Sequence, residues 1–125
     1  MKVLIESSAI IEYLKGNAKV KEIISNSEDF YVSTLTIFEV LLGKVEENKI
    51  LDFLSAFNVI GLNKKDSIIA SRIYKRLRDK GKLIGYFDIL ISAQAINRGL
   101  TLVTKDTDFL KVADEFNELK VALIT

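Results

Sequence analysis

Five short apolar runs, at residues 3–5, 30–32, 59–62, 100–103 and 121–124, are mostly continuous rather than alternating. A strand with one wet face alternates apolar and polar side chains, whereas a strand covered on both faces reads as an unbroken run. Between these runs lie helical patterns at 8–15, 18–25, 35–47, 50–57, 66–80 and 87–98. Ser7 or Ser8, Asn17, and Ser33 or Thr34 suit helix N-caps, and Gly16, Gly43, Gly81 and Gly99 suit helix exits or breaks. Strands alternating with helices predict an α/β fold, a three-layer α/β/α sandwich around a mainly parallel five-stranded sheet.

With 125 residues and no repeat, low-complexity tract, proline or Gly/Ser-rich linker, the chain is expected to form one domain over residues 1–125. The longest apolar stretches fall well short of the roughly 20 residues a membrane span needs. The N-terminus lacks the basic, apolar and small-residue pattern of a secretory signal, so a cytoplasmic protein is expected.

Cysteine and histidine are both absent. Thiolate nucleophiles and an ordinary zinc site are thereby excluded, and acid–base work at neutral pH falls to carboxylates, lysines, tyrosines or water activated by an ion. Hard oxygen donors favour Mg²⁺ or Mn²⁺.

The acids supply such donors. Asp88 interrupts the apolar run 84–96, and Asp106 and Asp108 follow the strand-like 100–103. Glu6 ends the first apolar run, and Glu39 sits among Ile37, Phe38, Val40, Leu41 and Leu42. An isolated carboxylate in apolar surroundings must neutralise, pair with a cation or hold an ion. In a parallel sheet, ligands bind beyond the carboxyl ends of strands, so one cleft could gather all five. Each acid also has a plain structural role. Asp88 could complement a helix dipole, Glu39 could form a capping box with Thr36, Asp106 and Asp108 could shape a turn before a helix near Phe109, and Glu6 could neutralise a helix N-terminus. Against the capping box, Glu39 shares a helix face with Leu35, Phe38 and Leu42 that should turn inward.

Net charge is only +1, but six basic residues and one acid fall between Arg72 and Lys82. Arg72, Lys75, Arg76 and Arg78 could track a phosphate backbone, or could be the solvated face of a helix whose apolar stripe is Ile69, Ile73 and Leu77. Glu12, three residues before Lys15, reads as a surface residue.

Four segments, IESSAIIEYLKGN from Ile5, STLTIFEVLLG from Ser33, GYFDILISAQAINRGLTLVT from Gly85 and TKDTDF from Thr104, make the chain resemble PIN-domain ribonucleases, specifically the toxins of VapBC-type toxin–antitoxin pairs. The resemblance implies a Mg²⁺- or Mn²⁺-dependent RNA endonuclease leaving a 5′-phosphate, silenced by a cognate antitoxin and commonly dimeric. It maps Glu6, Glu39, Asp88 and Asp106 with Asp108 onto the family's acids, and Ser8 and Thr104 onto hydroxyl positions near that pocket. The family usually carries Asp after the first strand; here Glu6 is one methylene longer.

Two functional classes follow. In the first, Glu6, Asp88 and Asp106 hold one or two cations for phosphodiester hydrolysis, with Glu39 completing the ligand set or taking the water's proton and Asp108 assisting. In the second, a PIN fold weakened or inactivated at Glu6 binds RNA or a protein partner. A phosphoacceptor receiver domain fits less well, because no Asp follows Val59-Ile60 and Glu39 would have no role.

Overall fold

Each apolar run forms a strand in the computed structural model, which describes all 125 residues: β1 (Lys2–Ile5), β2 (Asp29–Ser33), β3 (Asn58–Ile60), β4 (Thr101–Thr104) and β5 (Lys120–Leu123). All neighbours pair in parallel, in the order β3-β2-β1-β4-β5. The chain winds outward from β1 through β2 to β3, then returns to the other side of β1 as β4. That reversal between β1 and β4 is the crevice where parallel α/β sheets bind ligands. The order differs from the receiver arrangement, 2-1-3-4-5.

Seven helices cover the sheet: α1 (Ser7–Leu14), α2 (Ala18–Ser25), α3 (Thr34–Leu42), α4 (Glu47–Leu54), α5 (Lys64–Asp79), α6 (Tyr86–Arg98) and α7 (Asp108–Glu115). Because β-strand side chains alternate, Val3 and Ile5 face one layer and Leu4 the other. Val3, Ile5 and Val103 pack with residues of α1 to α4, including Ile10, Val20, Val40 and Leu54. Leu4 and Leu102 pack with α5, α6 and α7 through Ile73, Leu77, Ile91 and Phe109. Two apolar layers on one sheet explain why the strands lack polar alternation.

Most helix ends obey local chemistry. Asn17 accepts from the N–H groups of Lys19 and Val20, the Ser33 hydroxyl oxygen accepts from Leu35 N–H, and Gly99 leaves α6 in the left-handed region at φ 64°. Two expectations need correction. The helix predicted over 35–47 stops at Leu42, where Gly43 turns extended, and the next helix begins at Glu47 rather than Ile50. The Thr36–Glu39 capping box does not form, because Ser33 already caps α3 and puts Thr36 inside the helix, where it is fully buried.

Periodicity gave no hint of a buried ionic knot. Asp66, inaccessible to solvent, forms a capping box with Asn63 at the start of α5. Its carboxylate also accepts from Asn97 Nδ2 at 2.8 Å and from Arg98 Nη1 and Nη2 at 2.8 and 3.0 Å. Arg98 Nη2 reaches on to the Gly61 carbonyl at 3.3 Å, so the knot ties the β3–α5 turn to the end of α6. Burial alone would raise the Asp66 pKa, yet the donors from Arg98, Asn97 and Asn63 outweigh it and hold the group below its ordinary value. At the other end of the pair, the tilted rings of Tyr74 of α5 and Tyr86 of α6 meet with centroids 5.9 Å apart, so the two helices run antiparallel.

Candidate metal centre

The sheet reversal gathers the acids. Glu6 leaves β1, Asp106 and Asp108 follow β4, and Asp88 lies in the first turn of α6. One carboxylate oxygen from each of Asp88, Asp106 and Asp108 falls within 4.8 Å of the others. Glu6 and Glu39 border this cluster closely enough for their charges to raise the Asp88 pKa. No Lys or Arg pairs with Asp88, Asp106, Glu6 or Glu39; Asp108 alone meets one, Lys111 at 3.2 Å.

Asp88 decides between the plain and the functional roles. A helix N-terminus favours the charged carboxylate and would lower its pKa. Instead burial, then the charges of Asp106, Glu6, Glu39 and Asp108, push it up to about 7. Burial and repulsion dominate at Asp88, leaving crowded carboxylates whose charge a proton or a cation would relieve. Glu39 is also raised, first by burial and then by Glu6, and its Oε1 is buried with no hydrogen-bond partner. The donor set is entirely hard oxygen, so it fits Mg²⁺ or Mn²⁺.

In the post-β4 loop Asp106 shapes the turn into α7: its Oδ1 accepts the Asp108 N–H at 2.9 Å. The buried Phe109 then anchors α7 beneath it. Glu12 pairs with Lys105 at 2.9 Å rather than with Lys15, bracing α1 against the same loop. Ser8 and Thr104 do lie here, hydrogen-bonded to the Glu6 carboxylate, and Ser7, expected only as a helix cap, joins them.

Of the basic residues, Arg72, Lys75, Arg76 and Arg78 are all exposed, while Ile73 and Leu77 are buried and Ile69 is partly so. Arg76 is engaged by Glu115 at 3.7 Å and lies over the Phe116 ring, and Arg78 pairs with Asp79. Arg72 and Lys75 flank Tyr74, which touches Tyr86 two residues before Asp88.

A pH dependence follows. Between the ordinary carboxylate pKa near 3.8 and about 7, the native state holds a proton on Asp88 that the unfolded state has lost. Stability of the ion-free protein should therefore fall as pH rises through this window and level off above it. Thermal unfolding in EDTA measures this, and the slope should shrink in Asp88→Asn and at saturating Mn²⁺. A profile unaffected by that substitution would contradict the assignment.

The fold and site define a parallel α/β protein with a cluster of three aspartates at its sheet reversal that could hold a cation. The PIN domain family model matches residues 3–115, and the chain belongs to that family. It is similar to Ribonuclease VapC3 of Methanocaldococcus jannaschii, 30% identical over 95 residues that cover 74% of this chain and 97% of that protein. Ribonuclease VapC of Rickettsia bellii is 27% identical over 133 residues, covering 98% of each. In fold, the chain matches the crystal structure of VapBC2 from Rickettsia felis bound to a promoter DNA fragment, with a TM-score of 0.83, 20% identity and full coverage of both chains.

Proposed function

We propose that the protein is a Mg²⁺- or Mn²⁺-dependent endoribonuclease and the toxin of a toxin–antitoxin pair. The observation that carries this reading is the convergence of Asp88, Asp106 and Asp108 within 4.8 Å, with a single lysine ion pair, Lys111 to Asp108, to offset their charge. The similarity to VapC ribonucleases supports the choice of RNA as substrate.

Asp88, Asp106 and Asp108 would hold the ion. When bound, it neutralises charge on the scissile phosphate and lowers the pKa of an attacking water. Glu39, with its raised proton affinity and free oxygen, accepts the proton that this water loses. The new bond joins water oxygen to phosphorus, the P–O3′ bond breaks, and the departing O3′ takes a proton from solvent water, leaving a 3′-hydroxyl and a 5′-phosphate. The intact aspartate trio favours this enzyme over a non-cleaving binding module.

Arg72 and Lys75, free of ion pairs, are the proposed contacts to the RNA backbone, with Arg76 and Arg78 available only by giving up Glu115 and Asp79. Replacing both Arg72 and Lys75 by Ala should weaken RNA binding at low salt. It should also flatten the slope of log K against log salt by about 0.7 per lost contact on a single strand. An unchanged slope would reduce the pair to a solvated face.

The cognate antitoxin is the proposed protein partner, its seat being the groove lined by Ile11, Leu14, Val40 and Val45 together with Lys15, Lys44 and Glu39. Exposed Phe38 and Leu42 support a homodimer as well. No helix is long and apolar enough to cross a membrane, and an RNA substrate fits a cytoplasmic enzyme. Cleavage of single-stranded and structured RNA in Mg²⁺, Mn²⁺ or EDTA, with the product ends identified, tests the function. Equal activity in EDTA would remove the metal mechanism.

A further inference from the structure

The Glu6 carboxylate does not face the cluster unencumbered. It is 4% exposed and accepts four hydrogen bonds: Ser7 Oγ at 2.7 Å on Oε2, and Ser8 N–H at 3.2 Å, Ser8 Oγ at 2.5 Å and Thr104 Oγ1 at 2.6 Å on Oε1. Its backbone is equally fixed, with the N–H donating to the Val103 carbonyl at 3.0 Å and the carbonyl accepting from Ala9 and Ile10.

Proton counting gives these contacts a direction. A hydroxyl has one proton to donate and lone pairs to accept. Ser8 and Thr104 each spend that proton on Glu6, so their mutual contact at 3.2 Å carries no proton of its own. Their oxygens are then obliged to act as acceptors, and each meets a backbone N–H of the post-β4 loop: Lys105 on Ser8 Oγ at 2.9 Å, Asp106 on Thr104 Oγ1 at 3.0 Å. Asp106 in turn accepts the Asp108 N–H. A continuous relay thus runs from Glu6 through two hydroxyls to the backbone that presents both aspartates.

We propose that Glu6 is a positioning residue: its carboxylate orients the Ser8 and Thr104 hydroxyls so that they fix the backbone N–H groups of Lys105 and Asp106 and thereby set Asp106 and Asp108 for the ion. This rests on the metal reading above, and it gives Glu6 a positioning role in place of the direct-ligand role expected from the sequence. Outer partners of this kind typically change metal affinity by about 10- to 100-fold when lost.

The test compares Glu6→Met, which removes the acceptor, with Glu6→Gln, which removes the charge and keeps an amide oxygen at the Oε1 position. Thr104→Val and the double variant Glu6→Met/Thr104→Val complete the set. Backbone amide exchange of Lys105 and Asp106 is followed without metal, and Mn²⁺ alone is titrated calorimetrically. In Glu6→Met and in Thr104→Val both amides should exchange faster and Mn²⁺ should bind about tenfold or more weakly. The double variant should be little worse than either single one. Glu6→Gln should keep the amide protection and most of the affinity. Loss of Mn²⁺ binding in Glu6→Gln as complete as in Glu6→Met, with both amides still protected, would make Glu6 a direct ligand and overturn the proposal. So would Thr104→Val binding Mn²⁺ like wild type. If wild type itself failed to bind Mn²⁺, the metal reading would fall, and unchanged amide exchange in Glu6→Met would separately overturn the relay. Thr104→Ser, which restores the hydroxyl, guards against a misfolded Val variant.

Discussion

Asp88→Asn should lower RNA cleavage at saturating Mg²⁺ by roughly 10³-fold or more, the scale set by removing one member of a catalytic group that acts as a unit. The substitution keeps the shape of the side chain and its place in the first turn of α6, but removes the charge at the centre of the acidic cluster. A second effect of opposite sign distinguishes this from simple damage. Asp88 carries a pKa pushed up to about 7 by burial and by Asp106, Glu6, Glu39 and Asp108, so above neutrality its charge works against the ion-free fold. Neutral Asn relieves that repulsion. In EDTA at pH 8 the variant should melt at a higher temperature than wild type while losing activity, a trade expected where function stores electrostatic strain. Activity lost together with melting temperature would mean that Asp88 supports the fold rather than the chemistry.

The largest loss of stability is expected at Arg98, far from the reacting atoms in role if not in sequence. Arg98→Met leaves the Asp66 carboxylate fully buried with only Asn97 and the Asn63 backbone as donors. Breaking one side of a buried pair costs about 3 to 5 kcal/mol, because the remaining charge keeps its desolvation penalty and loses its counter-charge. For a domain of this size that lowers the melting temperature by roughly 10 to 20 °C. Pairing Arg98→Met with Asp66→Leu should recover part of the loss, since no unpaired charge then remains. Equilibrium unfolding in urea measures both. A loss below about 1 kcal/mol for Arg98→Met would show that the pair behaves like an exposed one. Asp66 also sets a lower pH limit. Its depressed pKa means that its contribution is present above the ordinary carboxylate range and is lost as pH falls through the folded value. Asp88 works in the opposite direction over the window above it.

The strands were readable because burial on both faces leaves an unbroken apolar run, and all five apolar runs became strands. Their parallel pairing followed from the helices between them. The break between α3 and α4 was less readable. Leu42 and Val45 continue an apolar pattern but are exposed, 70% and 40%, so the pattern there reports surface rather than core. Thr36 and Glu39 matched a capping box in spacing, yet Ser33 lay nearer the true helix start and took the cap. Nothing local marks Asp66, a lone acid in a polar stretch, because its partners Asn97 and Arg98 stand more than thirty residues away.

Residue types alone determined the chemistry available to this protein: without His or Cys, acids amid apolar sequence leave hard-cation chemistry as the way to use buried negative charge. The same residues determined the layered parallel sheet, through local periodicity and burial. Only the tertiary structure decided which acids meet. The reversal of strand order between β1 and β4 brings residues nearly a hundred positions apart to one edge. Hydrogen-bond geometry then divides their roles, grouping Asp88, Asp106 and Asp108 while Glu6 turns to the hydroxyls of Ser7, Ser8 and Thr104. Spacing along a chain fixes which side chains share a helix or strand face; distances across the fold depend on sheet order and on competition among donors, which no single segment contains.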